Sequence, residues 1–415
     1  MVINRLILLL FLLVSAFAYA QVPWLIGASK AEDLNIKLVT FGPGDDIPSW
    51  WGHGGIIVED SALKIARIYN FGLYSFDRTM LLKFVMGRLI FSVGDFSVPG
   101  YLPYYEKMNR DVRIQTLNLP PPKRLEMARA LAVHTLPENR DYWYDHYYDN
   151  CSTRPRDILN QAVNGALFEA TNKPARMTLR EHTRRYVAHN PFMEMLLMFL
   201  MNKEIDQPIR QWDEMFLPIE LERRVDELHY RDEEDNWQAL VKEKTVYFKA
   251  NRQPVPETVP MHWPGALLTG IIMGLIAIAL LLWIRNAAHS WPQTLYTVYT
   301  TTLGLLLGVP GLLLALIASF TEHSVTYYNE NLLLANPLTF MLIPVGIALT
   351  LQKTWAWKWL TCIWYVHFFL ACLALFFKAL PFFEQDNFLV LAFFLPVHTL
   401  NALAVRLVPL EKRIL

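Results

Sequence analysis

Cys151 lies in the stretch Tyr147-Tyr148-Asp149-Asn150-Cys151-Ser152-Thr153-Arg154-Pro155-Arg156-Asp157, which has the chemistry of a helix start. Asp149, Asn150, Ser152 and Thr153 are capping types, and proline is tolerated in a first turn. Asp157 to Val163 continues with helical spacing, and Gly165 closes it. A thiol at a helix N-terminus meets the positive end of the dipole, which favours the thiolate. Arg154 and Arg156 add positive charge, so the spacing predicts a nucleophile with a lowered pKa. The competing reading is a buried structural thiol, because free cysteine is readily buried. A polar, aromatic-rich turn is a poor setting for that.

A thiol nucleophile needs a base, and the chain offers one in Ser49-Trp50-Trp51-Gly52-His53-Gly54-Gly55. The strand Ile56-Ile57-Val58 follows, so His53 is expected at a strand entrance, with flanking glycines leaving its face open. Cys–His chemistry also needs a polar group to hold the imidazole. Asn70, on the next expected strand, is the first candidate and Asp77 the second. Backbone N–H groups near Cys151 and Ser152 would receive the oxyanion. No His/Cys/Asp group shows the spacing of metal ligands, so a metal site is not expected.

These residues need elements to hold them. Ile36 to Phe41, Ile56 to Val58, Ile65 to Gly72 and Leu89 to Val93 read as strands. Helices are expected over Met80 to Met86, Pro122 to His134, Thr178 to His189, Pro191 to Met201 and Pro218 to Leu228. The result is an α+β class, a sheet with helices packed on it.

The chain has 415 residues, and its 38 basic and 38 acidic side chains cancel, so nothing pulls it globally toward nucleic acid. Charge fills the chain to about Arg252 and then nearly vanishes. Leu6 to Ala18 is apolar and Ala18-Tyr19-Ala20 is a small-x-small site, the pattern of a secretory signal peptide over 1–20; an uncleaved anchor is the alternative. From Trp263 five apolar spans are expected, over 264–284, 297–320, 336–351, 357–378 and 388–407. Arg285, Lys353, Lys358, Arg406, Lys412 and Arg413 fall at junctions on one side, whereas the loops 321–336 and 383–387 carry no Lys or Arg. By the positive-inside rule those loops are periplasmic and the C-terminus cytoplasmic. The expected domains are thus a signal peptide (1–20), a periplasmic domain (21–258) and an all-α five-helix transmembrane domain (259–415). Cys362 and Cys372 lie within an apolar span, leaving Cys151 without an evident disulfide partner. The loop from Phe320 to Asn331 is polar. It is either a wet connector or a cover over a site at the membrane surface.

Trp51-Gly52-His53, Tyr69-Asn70-Phe71-Gly72, Lys83-Phe84-Val85-Met86-Gly87 and Asn150-Cys151-Ser152-Thr153, followed by several spans, resemble the Lnb family of bacterial lipoprotein N-acyltransferases. The order His then Cys is also similar to the permuted thiol enzymes of the NlpC and lecithin:retinol acyltransferase type. The resemblance implies a permuted papain-like domain with Cys151 as acyl-accepting nucleophile, His53 as base and Asn70 as third member. It implies transfer of an acyl chain to the α-amino group of a lipidated N-terminal cysteine. Diacylated lipoproteins and membrane phospholipids would be the partners, and no cofactor is implied, since a thioester conserves the acyl bond energy. Asn150 and Ser152 beside the thiol are candidate substrate-binding residues. Lys83 and Arg88 could hold a phosphate, and Glu322, His323 and Asn331 could line an entrance. A membrane-anchored cysteine peptidase or amidase acting on cell-wall peptides is the alternative function. A sensory membrane protein with a degenerate catalytic domain is the non-enzymatic one.

Overall fold

The computed structural model describes residues 22–74, 79–232, 235–286 and 291–407. The signal-peptide reading, Asp77, Lys412 and Arg413 lie outside the described residues. The described chain forms two compact units.

The first unit is built on a seven-stranded antiparallel sheet. Its strands are β1 (Leu34–Phe41), β2 (His53–Asp60), β3 (Ile65–Leu73), β4 (Ile90–Ser97), β5 (Val112–Leu117), β6 (Asp141–Trp143) and β9 (Val241–Phe248), in the order β6-β4-β3-β2-β1-β5-β9. Two short strands, β7 (His229–Arg231) and β8 (Trp237–Ala239), form a separate ribbon. The alternation along β1 shows how the sheet is covered. Leu34, Ile36 and Leu38 enter one core with Ile56, Val58, Met127, Leu131, Leu159 and Leu221. Val39 and Phe41 enter another with Ile57, Ile68, Leu102 and Tyr105. Successive side chains on a strand face opposite sides, so a strand apolar at most positions is one covered on both. Helices Pro121–His134, Thr153–Ala162 and Pro218–Glu227 supply the first cover, and Val98–Lys107 the second.

Between β3 and β4 the register slips. Asn70 pairs with Gly94, but Leu73 pairs with Ser92, so β3 carries one extra residue. Such a bulge bends the strand and re-aims its side chains. Here it falls on Asn70 to Leu73.

The second unit contains residues 78–88, 176–209 and 254–415. Among the described residues, three helices are long and apolar enough to cross a membrane: Trp263–Asn286, Trp291–Phe320 and Thr354–Phe377. The bent pair Ser324–Leu333 and Pro337–Thr350 makes a fourth crossing if taken as one span, and Phe388–Ala404 is a shorter apolar helix. Helices thus lie at all five expected positions, but one is broken and one is short by this measure. Gly270 and Gly274 of the first helix meet Pro396 and Leu400 of the last, the close approach that small residues permit between apolar helices.

The packing boundary does not fall at residue 258. Helix Pro191–Leu200 joins the second unit, where Met198 and Phe199 enter one core with Leu281, Trp364 and Phe394. Its C-terminal carbonyls are met by side-chain amides. Asn331 donates to the carbonyls of Met198 (3.1 Å) and Phe199 (2.9 Å), and Asn329 donates to that of Leu200 (2.8 Å). Asn202 in turn donates to the carbonyls of Ser324 (2.9 Å) and Tyr327 (2.8 Å). The polar loop after Phe320 therefore binds the end of this helix, which would otherwise leave four carbonyls unsatisfied.

Candidate active site

His53 opens β2 directly opposite Phe41 of β1. The turn before it needs Gly52, whose φ is +80° and where a side chain would meet the Phe41 carbonyl at 2.8 Å. His53 Nε2 lies 2.9 Å from Asn70 Oδ1. The same oxygen accepts the N–H of Gly72 at 2.7 Å, while Asn70 Nδ2 donates to the Tyr101 hydroxyl at 2.7 Å. Because a backbone N–H only donates, Asn70 Oδ1 is an acceptor, and His53 Nε2 must carry the proton. The lone pair that can take a proton is therefore on Nδ1.

Gly72 is the close approach that makes this possible. A methyl group there would meet His53 Cε1 at 2.7 Å. Gly72→Ala is expected to displace the imidazole from Asn70 and to cost activity while the sheet persists. Comparing turnover with the thermal midpoint checks this; equal activity in a folded variant contradicts it.

Cys151 comes to the same strand end. A side chain at Gly54 would meet its carbonyl at 3.1 Å, and the N–H groups of Gly54 and of Cys151 itself point at the sulfur. The helix after it runs Thr153–Ala162. Asn150 shapes the turn. Its Oδ1 accepts the N–H of Ser152 (2.7 Å) and of Thr153 (3.0 Å), and its Nδ2 donates to the carbonyls of His146 (2.7 Å) and Phe216 (3.1 Å). The Ser152 hydroxyl donates to the Met215 carbonyl at 2.7 Å.

Several expectations are corrected here. Asn150 and Ser152 are buried and bonded within the fold, so they build the turn and do not face substrate. The Ser152 N–H is taken by Asn150, so Gly54, not Ser152, is the second backbone donor at the sulfur. Asn331 is fully buried with its amide engaged at both ends, since its Oδ1 accepts from Asn387 (2.9 Å); it braces the loop and lines no entrance. Arg88 is paired with Glu322 through Nε (2.9 Å) and Nη2 (2.6 Å), both side chains remaining exposed. Lys83 lies on helix Met80–Val85, and His323 precedes the turn Ser324–Thr326. These four residues belong to the second unit, and Cys151, His53 and Asn70 to the first.

The sign of the thiol shift is also reversed. Burial pushes the Cys151 thiol up to about 11, and the N–H groups of Gly54 and Cys151 and the charge of Arg110 offset only part of this. Arg154 is drawn away by Asp149 (2.6 and 2.9 Å) and lies over the Tyr142 ring, and Arg156 bonds Asp157 (2.8 Å) and the Trp212 carbonyl (3.1 Å). Burial and the nearby Arg110 charge hold His53 down to about 4 against the opposing bond to Asn70. The resting pair is thus neutral thiol and neutral imidazole. Alkylation of Cys151 by iodoacetamide is expected to rise about tenfold per pH unit from neutrality toward pH 10, since only the thiolate reacts. A rate flat from pH 6 to 9 would show a preformed ion pair and contradict this.

Beyond the spacing of Tyr101 and Tyr105, one helical turn apart, nothing in the sequence marks Tyr101, Tyr105 or Arg110. The Tyr101 and Tyr105 hydroxyls lie 3.1 Å apart, extending the chain from Asn70. Phe41 stacks on Tyr105 at 3.7 Å between centroids and on His53 at 5.9 Å. A thiol, an imidazole with one free lone pair and converging N–H groups can form and cleave an acyl thioester.

Comparison with known proteins found two family matches. Residues 20–185 match the Lnb N-terminal periplasmic domain, and residues 266–407 match the Lnb transmembrane domain. No curated protein and no solved structure matched the chain. A periplasmic domain joined to a transmembrane domain places the protein in the inner membrane. With both domains matched in order over most of its length, the chain belongs to the Lnb family.

Proposed function

We propose that this protein is a lipoprotein N-acyltransferase working through a thioester on Cys151, with His53 as base and Asn70 holding it. The observation that carries the reading is the His53–Asn70–Gly72 arrangement, which fixes the imidazole tautomer at the strand end where the thiol arrives. Family membership supports the membrane lipoprotein setting. The order of the His strand before the Cys helix fits a permuted papain-like fold.

In the first half-reaction His53 Nδ1 takes the thiol proton, and the sulfur attacks the carbonyl carbon of an ester-linked acyl chain in a membrane lipid. The carbonyl oxygen takes up negative charge near the N–H groups of Gly54 and Cys151. The C–O bond to glycerol breaks, the leaving oxygen receives the proton from His53, and a thioester remains. In the second, the α-amino group of the lipidated N-terminal cysteine attacks the thioester. His53 accepts a proton from that nitrogen and returns it to sulfur as the amide forms. No nucleotide is consumed.

An acyl chain drawn from a membrane lipid favours an apolar setting, since each CH₂ exposed to water costs about 0.8 kcal/mol. We assign residues 21–258 to the periplasm, including the helix Pro191–Leu200 that packs with the second unit. The loop Thr321–Asn336 would lie on that side and the C-terminus in the cytoplasm. Lipoproteins from cells lacking the protein, complemented with the full chain or with Cys151→Ala, test the function by N-terminal mass spectrometry. Acylated α-amines only with the full chain are expected. Unchanged N-termini together with altered cell-wall peptides would instead identify a peptidase or amidase.

A further inference from the structure

Arg110 is an unusual side chain for the place it occupies. It is 8% exposed, and its Nη2 has no hydrogen-bond partner among the described residues. A buried cationic donor left unpaired is costly and calls for an explanation. Arg110 Nε donates to the carbonyl of Gly42 at 2.8 Å, and Gly42 directly follows Phe41, the cross-strand partner of His53. Its guanidinium carbon lies 4.9 Å from the centre of the Tyr105 ring, whose hydroxyl meets that of Tyr101, itself bonded to Asn70. The fold thus holds a positive charge one residue from the cross-strand partner of His53, and among the described residues no carboxylate pairs with it, although the charge of Asp46 reaches it. Arg154 and Arg156, the cations nearest Cys151 in sequence, have such partners.

We propose that Arg110 is a positioning residue of the thiol centre, whose fixed charge stabilises the negative charge that builds on sulfur and on the acyl carbonyl oxygen during attack. It does this through the field it sets at Cys151. The inference rests on the reading of Cys151 as the acylated thiol. It explains how a thiol so desolvated can be made a nucleophile without a preformed ion pair. Arg110 lowers the thiol and opposes protonation of His53 at rest, in keeping with its effect on both groups.

The test uses the full chain in membranes and two substitutions. Arg110→Met removes the charge, and Arg110→Lys keeps it. Iodoacetamide labelling of Cys151 is followed from pH 7 to 10, with the thermal midpoint as a check on folding. Arg110→Met should shift the labelling profile upward by about one pH unit, the usual scale for losing an adjacent opposite charge, so that labelling at pH 9 falls about tenfold. Arg110→Lys should retain the original profile. Coincident profiles for Arg110→Met and the unsubstituted chain overturn the proposal. So does an upward shift in Arg110→Lys, which decides the matter if Arg110→Met does not fold. Labelling needs no lipid substrate. A chain that labels as expected but leaves lipoprotein N-termini free sinks the acyl-transfer reading alone.

Discussion

Cys151→Ala is expected to abolish the proposed N-acylation in a protein that still folds and inserts. The substitution removes one sulfur atom from a half-buried position and leaves the surrounding bonds in place. The turn is held by the Asn150 amide and the Ser152 hydroxyl, neither of which involves the thiol. Stability should therefore fall by about 1 kcal/mol at most, the scale of losing a group of this size. Activity has no such reserve, because in the proposed mechanism this sulfur carries the acyl chain. Cys362 and Cys372 lie in a membrane helix of the second unit. Acylation measured by mass spectrometry, with the thermal midpoint alongside, checks both halves. Full transfer by a folded Cys151→Ala chain would end the thiol mechanism.

His53→Ala is expected to lower the proposed acylation rate by about 100- to 10,000-fold, the contribution of a positioned general base. The structure separates this loss from a loss of fold. When the imidazole goes, Asn70 Oδ1 keeps the Gly72 N–H and Asn70 Nδ2 keeps the Tyr101 hydroxyl, so no buried amide is orphaned. What disappears is the Nδ1 lone pair and the ring stacked on Phe41. The pH dependence follows from the same group. A base must be unprotonated to act, and His53 is held down to about 4. Activity should persist through the mildly acidic range and fall only as pH drops toward 4. An activity midpoint near the ordinary histidine value, about 6.5, would show an imidazole less buried than this one.

The groups that were legible in the sequence are those whose signals are local. His53 is flanked by glycines at a strand entrance, Asn70 sits on the following strand, and the turn before Thr153 is rich in capping residues; all three are placed by short-range chemistry. The bulge that aims Asn70 depends on how β3 meets β4, and no run of residues announces it. The thiol shift went the other way for the same reason. The helix dipole and Arg154 are near in sequence, whereas burial comes from segments far along the chain and outweighs them. The pairing of Arg154 with Asp149 was in reach, as the two stand five positions apart. Arg110 was not, because its meaning lies in its nearness to Cys151 and His53. The boundary at 258 marks where charge ends, but Pro191–Leu200 is apolar nearly all round, the mark of a helix covered on more than one side. It is polar in its connections and membrane-unit in its packing.

The most direct test is to trap the intermediate. The purified full chain is incubated with a membrane lipid carrying a labelled acyl chain and no lipoprotein, then digested and read by mass spectrometry. The account predicts the acyl mass on the peptide containing Cys151, its release by neutral hydroxylamine, and its strong depletion in His53→Ala. An enzyme that acylates lipoprotein with the same preparation, yet never carries an acyl group on Cys151, would contradict it.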